Sequence, residues 1–123
     1  MQKIQIENEY DLQHLLYAVI KPLCPDARRE VSDDSGVGTV RSDIKILSLN
    51  TIIEAKYTRT STNLKKLTEE IEADIVHYKA DYIFFYIYDK EKNIKDRHAF
   101  ETNFNRSFDG KEIRIIILQP VNM

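Results

Sequence analysis

Three polar residues interrupt an otherwise apolar stretch: Asp43, Glu54 and Lys56. Ten residues separate the two acids and one separates Glu54 from Lys56. The stretch from Thr39 to Arg59 reads as two β-strands joined by a short turn. Side chains two apart on a strand point to one face. Glu54 and Lys56 are therefore neighbours on one face, with Ile53, Ala55 and Tyr57 on the other. An acid and an amine in an Ile-rich strand are costly unless solvated or put to use. Two carboxylates converging on a strand pair suit a hard cation such as Mg²⁺, which takes one or two carboxylates and completes its shell with water and phosphate oxygens. Such an ion polarises a phosphoryl oxygen and acidifies bound water. Lys56 beside it would orient the attacking water or neutralise charge developing on phosphorus. The combination is the chemistry of phosphodiester hydrolysis, with Mg²⁺ as the cofactor and Mn²⁺ expected to substitute.

The strands must be in the right register for this. Residues directly opposite in an antiparallel pair share a face. A two-residue turn at Leu49-Asn50 sets Asp43 opposite Lys56, and one at Ser48-Leu49 sets it opposite Glu54. Both put the three side chains on one face. A three-residue turn sends Asp43 to the wrong side unless a bulge restores it.

Around this pair the chain alternates between helical and strand patterns. Residues 7–23 carry apolar residues at Leu12, Leu15, Leu16, Val19, Ile20 and Leu23, a helical stripe ended by Pro22 and Pro25. On a helical wheel Glu9 lies about 50° from the stripe centre and Asp11 about 110°. Glu9 is thus the acid best placed to look inward, with Gln13 on its side, while His14 faces solvent. Residues 27–33 read as an edge strand, followed by turn chemistry at Asp33-Asp34-Ser35-Gly36. Residues 62–78 form a second helix on Leu64, Leu67, Ile71, Ile75 and Tyr78, capped by Thr62 or Ser61, with His77 off the stripe at the surface. Residues 81–88 are a continuous apolar run, expected to be a central strand covered on both faces. Phe100, Phe104 and Phe108 predict a third helix over 97–108, stopped by Asp109-Gly110, and Ile113 to Leu118 is the last strand.

Between Ala55 and Thr68 there are four basic residues and no acid. Hydroxyl and amide side chains lie among Lys56, Arg59, Lys65 and Lys66, and a helix start follows. That segment suits contacts to backbone phosphates from Arg59, Lys65 and Lys66.

Asp43, then Glu54-Ala55-Lys56, resembles the Asp…Glu-x-Lys signature of the PD-(D/E)XK nuclease superfamily, which includes restriction endonucleases and Holliday-junction resolvases. Ser42 stands where the pattern name has Pro. The element order α-β-β-β-α-β-α-β comes from hydrophobic pattern alone. It is similar to the superfamily core of a helix, a three-strand meander, a helix and a further strand, extended by one helix and one strand. The segments Asp-Leu-Gln-His-Leu-Leu, Ile-Glu-Ala-Lys-Tyr-Thr-Arg and Asp-Ile-Val-His-Tyr look like restriction-endonuclease and defence-associated nuclease domains. The resemblance implies a mixed α/β (α+β) fold, a restriction-endonuclease-like core with a mixed central sheet flanked by helices. It implies Asp43 and Glu54 as metal ligands, Lys56 as catalytic lysine and Glu9 as a helix acid joining the metal site. Many members place Gln or Lys on the second helix near the site. Here Glu70 stands at about that position, with Lys65 or Lys66 as alternatives.

At 123 residues the chain is expected to be one nuclease domain over 1–123. A net charge of −2 argues against generic electrostatic binding of nucleic acid, though a local basic groove remains compatible. One cysteine, Cys24, precludes an intrachain disulfide and suits a reducing cytoplasm. No apolar run approaches the ~20 residues that span a bilayer, so no membrane partner is expected. DNA is the expected substrate, in restriction, defence or repair. A chain this short has little room to read bases, so a homodimer or a partner domain or subunit is expected. Two other functions are compatible with the residues: a catalytically silent nuclease-like binding or assembly module, which need not bind Mg²⁺ or Mn²⁺, and an RNA-cleaving toxin domain.

Overall fold

Ile83, Phe85 and Ile87 are fully buried, while Phe84, Tyr86 and Tyr88 between them are half-buried. This alternation belongs to β4 (Tyr82–Asp89), the middle of a six-stranded mixed sheet in the computed structural model, which describes residues 5–34 and 39–120. The elements run α1 (Glu9–Leu23), β1 (Ala27–Asp34), β2 (Thr39–Ile46), β3 (Thr51–Thr58), α2 (Leu64–His77), β4, α3 (Arg97–Phe104), β5 (Arg106–Phe108) and β6 (Lys111–Leu118). Strand order is β1-β2-β3-β4-β6-β5. β1, β2 and β3 form an antiparallel meander, β3, β4 and β6 are parallel, and β5 closes back antiparallel on β6. The expected mixed α/β architecture and element order are present, with β5 added.

Two apolar layers hold the sheet. On one face Ile52, Ile83, Phe85, Ile87, Ile113 and Ile115 pack with Leu67, Ile71 and Ile75 of α2 and Phe104 of α3. On the other, Ala27, Ile44, Ile46 and Ile53 pack with Leu16, Tyr17 and Ile20 of α1. Helix α1 lies over the meander, contacting β1, β2 and β3. β4 is therefore fully covered on one face and only half covered on the other, which departs from the expected two-sided burial.

Several boundaries differ from the pattern-based expectation. Helix α1 starts at Glu9 because the Asn8 side chain accepts from the N–H of Asp11. Its apolar stripe is only partly inward: Val19 and Leu23 are exposed, whereas Gln13 is buried. Helix α2 is capped by Asn63 rather than Thr62 or Ser61; the Asn63 side chain accepts from the N–H groups of Lys65 and Lys66. Asp33 and Asp34 belong to β1, and the rest of the expected turn, Ser35-Gly36, lies outside the described residues.

The third helix ends at Phe104 instead of running to 108. The Asn105 side chain there accepts from Ile115 N–H at 2.7 Å, tying the chain to β6. Asp109 and Gly110 both take positive φ (49° and 79°), the backbone of a two-residue hairpin turn. Phe108 is accordingly exposed on β5 rather than part of the core.

The β2–β3 connection carries a single 3₁₀ turn, Leu47–Leu49, and Asn50 in a left-handed conformation. The strands pair Ile44 with Ile53, Lys45 with Ile52 and Ile46 with Thr51. Extended by one step, that register sets Asp43 opposite Glu54, the arrangement a Ser48-Leu49 turn would give.

Candidate active site

Ile52, Glu54, Lys56 and Thr58 alternate along β3 and share the face turned to α2. The β2–β3 ladder stops at Ile44–Ile53, and the next rung is made by side chains. The Asp43 N–H donates to Oε1 of Glu54 at 2.8 Å, and the Ala55 N–H donates to Oδ2 of Asp43 at 2.9 Å. Each carboxylate takes the place of a backbone acceptor on the opposite strand, so the two acids are held facing each other where the strands part. The Asp43 carbonyl is also drawn out of the ladder: it accepts from Nε2 of Gln13 on α1 at 3.0 Å. Glu30, whose place in β1 faces Asp43, takes a positive φ of 54°, and the β1–β2 pairing skips that step.

Glu54 is 4% exposed. Its burial, and then the adjacent Asp43 charge, push its carboxyl up to about 8, against the opposing hydrogen bond from the Asp43 N–H and the pull of the nearby Tyr78 phenol. Burial and the Glu54 charge in turn push the Tyr78 phenol upward. The Tyr78 hydroxyl also donates to the Arg41 carbonyl at 3.2 Å.

Lys56 pairs with Asp74 of α2, Nζ to Oδ2 at 3.1 Å, and their side chains are 14% and 24% exposed. Burial alone would lower the Lys56 ammonium, but Asp74, followed by Glu54 and Glu9, holds it above its ordinary range. Burial outweighs the pull of Lys56 at Asp74 and raises that carboxyl. The raised lysine favours an ionic pair and the raised aspartate opposes one. The close contact decides for the ionic pair: Oδ2 of Asp74 is shut off from water and, among the described residues, has no hydrogen-bond partner that competes with Lys56.

Glu9 and Glu70 stand exposed at the rim of a cleft of about 260 Å³ that reaches Lys56 and is also lined by Ser61, Asn63 and Lys66. Although the residue is exposed, partial withdrawal of its carboxyl from water raises Glu9, with Lys56 opposing and Asp43 and Glu70 adding to the rise. Of the three basic residues expected at phosphates, Lys66 lines this cleft. Lys65 and Arg59 are exposed outside its lining, and the Arg59 guanidinium sits 5.9 Å from the centre of the Tyr57 ring. Tyr57 stacks on Tyr88 across β3 and β4. His14 and His77 are exposed, as expected.

The site thus contains Asp43, Glu54 and Lys56 together, Glu9 at its rim, and three residues that the motif does not name: Gln13, Asp74 and Tyr78. Among the described residues no three His, Cys, Asp or Glu side chains converge tightly enough to hold a metal by themselves. Two opposed carboxylates fit a cation that draws the rest of its shell from water and phosphate, as Mg²⁺ does.

A family model of DpnII-MboI restriction endonucleases (REase_DpnII-MboI) matches residues 1–120. The chain belongs to the DpnII-MboI restriction endonuclease family. No curated protein and no solved structure matches it. Membership makes the chain a DNA nuclease of the restriction class, and the restriction-endonuclease-like fold expected from the Asp…Glu-x-Lys signature is the one observed. Among the described residues, no helix of this DpnII-MboI family member is long and apolar enough to cross a membrane.

Proposed function

We propose that this member of the DpnII-MboI family is a Mg²⁺-dependent endonuclease that hydrolyses phosphodiester bonds in DNA at the Asp43–Glu54–Lys56 site. The observation that carries the proposal is the reciprocal bonding of Asp43 and Glu54, which holds two carboxylates face to face next to a largely buried ammonium. Asp43 and Glu54 would hold the ion, and Mn²⁺ would substitute. The bound cation would supply a Lewis acid for a phosphoryl oxygen and an acidified water.

The chain's own groups supply the remainder. Lys56 hydrogen-bonds the attacking water and offsets charge on phosphorus. Glu9, at the rim, would support the metal site. Lys66, with Arg59 and Lys65 further out, contacts the phosphates that flank the scissile bond. Cutting both strands needs two such sites, so a homodimer or a partner domain completes the enzyme. The single Cys24 fits a cytoplasmic setting.

The test is cleavage of supercoiled, linear and single-stranded DNA in Mg²⁺, Mn²⁺ and EDTA, beside an Asp43→Ala variant. Metal-dependent cutting lost in the variant is expected. Cutting that persists in EDTA, or in a folded Asp43→Ala protein, overturns the mechanism.

A further inference from the structure

Of the side chains that helix α2 brings to the site, Asp74 is the one that meets the motif lysine. Ile71, Asp74, Ile75 and Tyr78 are spaced i, i+3, i+4 and i+7, which sets all four on the side facing the sheet. Ile71 and Ile75 are buried in the core and Tyr78 packs with them. The backbone at Asp74 is therefore held against the sheet, and its side chain is only 24% exposed. Its Oδ2 is sealed from solvent with Lys56 as its counter-charge.

Lys56 has other carboxylates within electrostatic reach. Glu54 lies two residues away on the same strand face, and Glu9 faces it across the cleft. It nevertheless makes its ion pair with Asp74. A lysine stem has four rotatable bonds and a point charge with no preferred direction. Left to itself beside Glu54, the ammonium would fold onto the carboxylate pair and occupy oxygens that a cation needs. Tied to Asp74, it keeps that pair clear. One of its three N–H groups is spent on Asp74, and two remain for a water and a phosphoryl oxygen in the cleft.

We propose that Asp74 is a positioning residue of the nuclease reaction: from helix α2 it holds the Lys56 ammonium in place beside, and off, the Asp43–Glu54 pair. The inference rests on the proposed role of Lys56. It assigns to Asp74 no contact with DNA or with the reacting atoms.

The experiment is a double-mutant cycle on single-turnover DNA cleavage with Asp74→Asn, Lys56→Ala and the double variant. Asp74→Glu serves as the conservative variant, and DNA affinity is measured in parallel. Asp74→Asn is expected to slow cleavage by about 10–100-fold, the usual cost of losing a group that orients a catalytic one, with DNA affinity held within roughly threefold. Asp74→Glu is expected to recover part of the rate. In the Lys56→Ala background Asp74→Asn should cost nothing further. Cleavage by Asp74→Asn at the wild-type rate overturns the proposal, as does an equal loss with and without Lys56.

Normal cleavage by Lys56→Ala would instead overturn the role of Lys56 itself, a different pattern. A second readout needs no cleavage. In ¹H–¹⁵N correlation spectra of lysine ammonium groups, Lys56 is expected to give a cross-peak whose exchange with water is slowed by its pairing with Asp74 relative to exposed lysines, absent in Lys56→Ala and lost in Asp74→Asn. A wild-type spectrum without that peak, or its survival in Asp74→Asn, overturns the proposal whether or not the protein cuts DNA.

Discussion

Asp43 and Glu54 bind each other's strands: Oε1 of Glu54 accepts the Asp43 N–H at 2.8 Å, and Oδ2 of Asp43 accepts the N–H of Ala55, the residue after Glu54, at 2.9 Å. The geometry presses two acids together in a largely buried place. Burial and Asp43 raise Glu54 from an ordinary 4.5 to about 8. A raised folded-state value means that the folded protein prefers the protonated acid. The stability tied to that preference is fully present below pH 4.5 and is lost as pH rises through 8. Glu54→Gln keeps an oxygen for the Asp43 N–H and removes the charge. It is expected to melt higher than wild type at pH 8.5 in EDTA, by several degrees at about 4 °C per kcal/mol, and to match it at pH 4. Thermal melts across that range check this, and a difference that does not change with pH would refute it. The same variant should lose stabilisation by Mn²⁺, which in wild type should grow between pH 6 and 8 as the Glu54 proton becomes easier to displace.

Gln13 ties α1 to the site. It is 5% exposed and its amide donates to the Asp43 carbonyl at 3.0 Å. Gln13→Leu fills the space but leaves that carbonyl without its donor. The expected loss of stability is about 1–3 kcal/mol, read by urea denaturation, together with slower cleavage because Asp43 is no longer fixed from behind. A loss below about 0.5 kcal/mol, the range of inert surface changes, would show that the bond does not hold Asp43.

The Asp43, Glu54 and Lys56 cluster was legible because strand periodicity puts Glu54 and Lys56 on one face and an even register brings Asp43 to them. Ser48-Leu49 was one of two registers open in the sequence; the choice depends on the 3₁₀ turn and on Asn50, whose carbonyl accepts from Asp81. Asp74 was readable in principle. On a helical wheel drawn through Leu67, Ile71, Ile75 and Tyr78 it lies about 60° from the stripe centre, against about 100° for Glu70. The superfamily resemblance points instead to Glu70, which stands exposed at the rim. Gln13 shares the side of Glu9 on the helical wheel, but its partner is a main-chain carbonyl 30 residues away, and no side-chain pattern marks such a contact. The helical spacing carries the third helix too far because Phe108 continues it, while the Asp109-Gly110 hairpin and the bond from Ile115 to Asn105 redirect the chain.

Asp89 closes the far end of β3 and β4. It is fully buried and accepts from the Thr58 hydroxyl at 2.6 Å, the N–H groups of Asn93 and Ile94 at 2.9 and 2.8 Å, and the Gln119 amide at 2.8 Å. Burial would raise its carboxyl, but these donors together lower it below the ordinary range. A lowered folded-state value gives stability that is present above pH 3.8 and is lost as pH falls through the folded-state value. Asp89→Asn turns an amide toward a ring of donors. It is expected to cost about 2–4 kcal/mol at pH 7, with the gap to wild type narrowing in acid. Urea titrations at pH 7 and pH 3 decide it, and a constant gap would refute the charge as its source. Asn93, bound to Asp89, also donates to the Arg59 carbonyl at 2.6 Å. The variant should therefore loosen the start of the basic segment as well.

Lys66 and Lys65 are adjacent in sequence but differ in direction by about 100° around α2. Lys66 lines the cleft with Asn63 and Lys56, and Lys65 does not. If the cleft receives a DNA strand, a phosphate there meets Lys66 first. In an Asp43→Ala background, where binding is measured without cutting, Lys66→Ala should weaken DNA binding uniformly across sequences. It should also reduce the slope of log K against log salt by about 1. Lys65→Ala should change the slope by clearly less. Equal slopes for the two variants would mean that DNA follows the outer face of α2 rather than the cleft. The phosphate contacts would then have to be reassigned around Lys65 and Arg59.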